Sequence, residues 1–114
     1  MSELFETVFD QLRAIMLAAA PEFVVSKDLP GSLELRTHKI DPKTKQPGWF
    51  GTVTTKKTYV AVHLMPLYVS PQLADECSPE LTRRRQGKTC FNFTRTDDKL
   101  FNELENLIRS CARA

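Results

Sequence analysis

Two stretches rich in β-branched and aromatic residues, WFGTVTT (49–55) and TYVAVHL (58–64), are separated only by Lys56-Lys57. Segments of this composition and length pair as an antiparallel hairpin. Lys-Lys is a poor tight-turn pair. A turn centred there sets Val53 against Val60, Gly51 against Val62 and Trp49 against Leu64 on an apolar side. Phe50 then lies opposite His63, and Thr54 opposite Tyr59, on the other side. A one-residue slip would exchange the two faces.

A sheet seeded by this hairpin needs apolar cover, and the two ends of the chain supply it. Leu4, Phe5, Val8, Phe9, Leu12, Ile15, Met16 and Ala19 recur at steps of three and four, which predicts an amphipathic helix from about Ser2 to Ala20, stopped by Pro21. Near the other end, Leu100, Phe101, Leu104, Leu107, Ile108 and Cys111 repeat in the same way behind Asp97 or Asp98 as the cap. Between them, Pro30-Gly31 marks a turn, and Leu33, Leu35 and Thr37 alternate with Ser32, Glu34 and Arg36 as in a half-buried strand. Residues 41–48, DPKTKQPG, read as an exposed loop. Ser78-Pro79-Glu80 has helix-start chemistry, so a short helix is expected to carry Leu81 and Arg83 to Arg85 and to exit at Gly87. CFNF (90–93) follows as a strand with Phe91 and Phe93 on one face and Cys90 and Asn92 on the other. The order predicts an α+β fold in a single domain over residues 1–114, an antiparallel sheet packed on one face by the N- and C-terminal helices.

With 114 residues, 41% of them apolar, the chain has material for one core. Three widely spaced cysteines, Cys77, Cys90 and Cys111, suggest neither a disulfide framework nor a CxxC metal site, and reduced thiols imply a cytoplasmic setting. Glu3, Glu6 and Asp10 occupy the region where an export signal carries positive charge. No apolar run is long enough for a membrane span. The net charge is +2, but residues 56–95 hold seven Lys and Arg against three acids. That asymmetry suits an anionic partner and falls short of the charge density of a dedicated nucleic-acid domain.

The Gly87-Lys88-Thr89 stretch imitates the end of a phosphate-binding loop. Such a loop also needs a glycine where Thr82 stands, and a strand before it with a helix after it, the reverse of the order here. His38 and His63 have no carboxylate or cysteine at ligand spacing. His63 reads either as a half-buried structural histidine or as an acid/base group. Lys56, Lys57, Arg83, Arg84, Arg85, Lys88 and Arg95 form a basic group able to hold phosphate or carboxylate.

At KKTYVAVHLMPLY and SPELTRRRQGKTCFNF the chain resembles the YdhG-like domain of unknown function, a family of small, mostly bacterial proteins. The resemblance covers residues 49–110 well and the first 48 weakly. It implies a frataxin-like two-layer layout and raises an iron-chaperone role. Frataxins carry a dense acidic ridge, whereas here Glu3, Glu6 and Asp10 are followed by Arg13.

The leading expectation is a non-enzymatic binding or adaptor module for an anionic small molecule or a partner protein, with no cofactor. Lys57, Arg84, Arg85 and Lys88 are its expected anion donors, and Tyr59 and His63 its wall. The alternative is a frataxin-like iron-binding chaperone using Glu3, Glu6 and Asp10, and a third reading is a small enzyme acting through His63.

Overall fold

The computed structural model describes residues 3–113, Glu3 by its backbone alone. The N-terminal apolar stripe forms α1 (Glu3–Ala19), and four strands follow: β1 (Val24–Leu29), β2 (Ser32–Ile40), β3 (Pro47–Thr55) and β4 (Val60–Leu64). Helical pieces then leave the sheet: α2 (Pro66–Val69), a 3-10 turn (Pro71–Ala74) and α3 (Pro79–Thr82). The chain returns through β5 (Arg85–Gln86) and β6 (Cys90–Phe93) and ends in α4 (Asp98–Arg113). The six strands form one antiparallel sheet in the order β1-β2-β3-β4-β6-β5. This is the expected α+β architecture, with both terminal helices packed against the sheet.

Strand alternation divides the sheet into two faces. Leu33, Leu35, Val53, Val60, Val62, Leu64, Phe91 and Phe93 are buried in one continuous core with Val8, Leu12 and Met16 of α1 and Leu104 and Ile108 of α4. Glu34, Thr52, Thr54, His63, Cys90 and Asn92 alternate with them and are only half-buried on the opposite face. No described helix covers that open face.

The turns and caps follow from local chemistry. Pro30-Gly31 joins β1 to β2, with Gly31 at φ +77, a conformation that side chains rarely adopt. Ser78 caps α3 by accepting from Leu81 N at 3.2 Å, and its own N and Oγ donate to the Glu103 carboxylate at 2.9 and 2.7 Å, which ties α3 to α4. Arg13 and Asp28 join α1 to β1 through a two-pronged ion pair, and the guanidinium hydrogen bond holds the Asp28 carboxyl below its ordinary range. Asp97 caps α4, its Oδ1 accepting from Leu100 N at 3.1 Å. Asp97→Ala should therefore cost about 1 kcal/mol in denaturant unfolding, while Asp98→Ala should cost less than half of that.

Several expectations of register are corrected. The β3–β4 connection is a four-residue loop, Lys56 to Tyr59, closed by Lys56 N donating to Tyr59 O at 2.7 Å, so Lys56-Lys57 is not a two-residue turn. Pairing moves by two positions, and Val53 faces Val62, Gly51 faces Leu64 and Thr52 faces His63. A shift of two preserves the alternation, so the valines stay on the core side. A second correction lies within β3, where Gly51 pairs with Leu35 and Trp49 with Arg36, leaving Phe50 as an extra residue. This β-bulge turns Phe50 into the core, 1% exposed and 4.4 Å from the Phe23 ring, and leaves Trp49 44% exposed. The expected sides of these two aromatics are thereby exchanged. Finally, α3 ends at Thr82, so Arg83 to Arg85 are not a helix face. Gly87, at φ +68, belongs to the β5–β6 turn rather than to a helix exit.

Candidate functional site

The bulge at Phe50 also shapes the open face. Just there, Trp49, Gly51, Thr52, His63 and Met65 line a cavity of about 350 Å³. Gly51 contributes backbone alone to this lining, since a Cβ there would point to the core side, toward Met16 and Leu64. The Arg36 guanidinium lies over the Trp49 ring, 3.9 Å from its centroid. It is held in place by Glu34 Oε2 at 3.2 Å and by the Pro47 carbonyl at 2.7 Å. A cation fixed over an indole attracts it electrostatically and presents a flat, stiff wall.

His63 stands in the middle of the face. Its neighbours across the strands are Thr52 on β3 and Cys90 on β6. Nε2 lies 3.0 Å from Met65 Sδ and Nδ1 lies 3.4 Å from Cys90 Sγ. Burial lowers the His63 pKa, because desolvation disfavours the charged ring, so the imidazole is neutral near pH 7.

The expected site residues fall into two groups. Lys57 and Tyr59 lie in the β3–β4 loop, with Tyr59 four residues before His63, about 13 Å along an extended strand. At the other end of β4, the β5–β6 turn carries Lys88, because Cys90 pairs with both His63 and Gln86. Arg84 O accepts from Asn92 N at 2.8 Å, and this pairing sets Arg84 on the open-face side of the edge. Arg85 pairs with Phe91 and so belongs to the helix-bearing side. Its Nε and Nη2 donate to Lys88 O at 3.1 and 2.8 Å, closing the turn. Of the six, His63 sits on β4, Arg84 and Lys88 lie beyond β6 at the β5 edge and its turn, Arg85 has a local structural bond, and Lys57 and Tyr59 lie at the opposite end of β4.

Trp49, Met65 and Cys90 join the site although sequence reasoning did not include them. For Cys90 one signal was present: the alternation in CFNF placed it on the face opposite to the phenylalanines. For Trp49 there was none, because the bulge reverses the face that alternation assigns. On α1, Glu6 and Asp10 line a separate recess with Phe9, Pro30, Gly31 and Thr55, and the Glu3 side chain lies outside the described residues. Among the described residues no group of three His, Cys, Asp or Glu side chains is placed to hold a metal ion. None of their helices is long and apolar enough to cross a membrane. Compared with models of protein families, with curated proteins and with solved structures, the chain matches none of them.

Proposed function

We propose that this chain is a cytoplasmic binding or adaptor module whose open sheet face takes an anionic ligand, or the acidic segment of a partner protein, presenting a planar or apolar group to Trp49. The observation that carries this reading is the half-exposed Trp49, backed by Arg36 at 3.9 Å and standing over the His63 cavity. An indole left 44% exposed forgoes apolar burial worth about 2 kcal/mol, which a stacked ligand recovers. Arg84 and Lys88, at the β5 edge beyond β6, supply the positive charge, and arginine suits carboxylate or phosphate through its paired donors. The stretches that carry the YdhG-like resemblance include His63, Met65, Arg84, Lys88 and Cys90, so they build this surface.

Trp49 is the only tryptophan, so its indole N–H gives one isolated resonance that reports on the cavity directly. Benzoate, a planar anion, should shift it saturably, together with the His63 ring signals. Benzyl alcohol, planar and neutral, should bind about threefold more weakly, a difference that disappears in the R84A/K88A double variant and at high salt. An indole signal unmoved by either probe would dispose of the reading. Arg85 is left in place because it closes the turn.

A further inference from the structure

The contacts of His63 settle which of its nitrogens carries the proton. A thioether sulfur has lone pairs and no hydrogen to give, so the 3.0 Å contact between Nε2 and Met65 Sδ is a hydrogen bond only when Nε2 is protonated. A neutral imidazole has one N–H. Nδ1 is therefore a bare acceptor, and it faces the Cys90 thiol at 3.4 Å. The Thr89 hydroxyl touches the same sulfur at 3.7 Å. A nucleophile, a base within hydrogen-bond reach and a third group that orients the base are together the arrangement that activates a weak nucleophile.

The other two cysteines have a different setting. Cys111 is buried against the core, and burial pushes its thiol up to about 12. Burial, with the Glu103 charge in second place, also raises the Cys77 thiol. Only the thiolate form attacks, so both are disfavoured as nucleophiles. Cys90 is half-buried on the open face, one strand from the cavity that His63 lines.

We propose that Cys90 and His63 form a thiol–imidazole pair that exchanges with disulfides at the open sheet face, its substrate class being low-molecular-weight disulfides such as oxidised glutathione. As Cys90 Sγ attacks one sulfur of the substrate, its proton passes to His63 Nδ1. The new S–S bond to Sγ forms while the substrate S–S bond breaks, and the departing thiolate takes the proton back from the imidazolium. One disulfide and one thiol enter, one disulfide and one thiol leave, and no other oxidant is consumed. The negative charge develops on sulfur and is met by the His63 proton, so no oxyanion donors have to be aimed, as they must be for acyl transfer. Cys90 is the catalytic residue and His63 its base, while Met65 is a positioning residue acting through the ring. The exchange needs no cationic rim, so it stands or falls apart from the binding of carboxylates near Trp49.

The test uses the full, reduced chain incubated with oxidised glutathione at pH 7.5, with the mixed disulfide located and timed by peptide mass spectrometry. Cys90 should be modified at least about tenfold faster than Cys77 or Cys111, and Cys90→Ser should remove the fast phase. His63→Gln should slow Cys90 by on the order of 10²-fold. Met65→Leu, close in volume, should slow it by a smaller factor with an unchanged melting temperature, a result that simple packing does not produce. Modification of Cys90 no faster than Cys77 in the unaltered chain would overturn the proposal, whatever the variants do. So would an unchanged Cys90 rate in a folded His63→Gln protein, and if that variant does not fold, an unchanged rate in Met65→Leu decides against it.

Discussion

Phe50→Ala is expected to destabilise the fold by about 3–5 kcal/mol, and Trp49→Ala by only about 2 kcal/mol, although tryptophan is the larger side chain. The inversion follows from the bulge. Phe50 is 1% exposed and packs at 4.4 Å against Phe23, so truncation opens a hole that the flanking strands cannot close. Trp49 is 44% exposed, with its remaining contacts on the Arg36 side of the sheet, and its removal leaves the core intact. Urea unfolding of the two variants against the unaltered chain measures both values. A regular strand would reverse the ranking, so the pair tests the bulge itself. The same variants separate stability from binding: Trp49→Ala should keep the fold and lose the response to benzoate.

Gly51→Ala is expected to cost about 2–3 kcal/mol, near the upper end for adding one methyl group to a packed site. A Cβ at Gly51 would stand 2.8 Å from the His63 carbonyl oxygen and 3.3 Å from both Leu64 Cδ2 and Met16 Cε. Leu64 and Met16 can swing aside. The carbonyl cannot, because it belongs to the β4 backbone beside β3. Relief therefore requires the two strands to part, and His63 moves with its own backbone. In a domain of this size the loss corresponds to a fall of roughly 10 °C or more in melting temperature, readable by calorimetry or circular dichroism. A methyl group tolerated with no change in melting temperature would show that β3 and β4 are not packed as described.

Much of the architecture could be read from residues alone, because the signals behind it are local. The stripes of α1 and α4 repeat within a single helix, and Ser78 and Asp97 cap whatever follows them. Pairing is a different matter, since it depends on residues that are distant in sequence. Lys56-Lys57 looked like the centre of a turn, yet the loop takes four residues, since two lysines do not favour the left-handed conformations of a tight hairpin. The Phe50 bulge leaves no mark in composition, but it determines which aromatic lies on the open face. Arg83 to Arg85 looked helical because proline, acid and leucine precede them. The short α3 gives way because Arg85 and Gln86 gain backbone partners on β6. Cys90 was visible as an open-face residue, and only the pairing of β4 with β6 supplies its partner.

That pairing also orders the assembly of the molecule. Strands β1 to β4 follow one another as a meander and can zip up hairpin by hairpin, each step closing a loop of a few residues. Strand β6 must reach β4 across 27 positions, which adds about 1.5 kcal/mol of closure entropy before any contact rewards it. The chain between them forms α2, the 3-10 turn, α3 and β5, and β5 finds its strand partner in β6 itself. Until β6 docks, Cys90 is an unassisted thiol and His63 a solvated ring, so the proposed enhancement of Cys90 over an ordinary thiol develops only as that strand locks in. A thiol probe in a refolding experiment would thus serve as a clock for the closing step of the sheet.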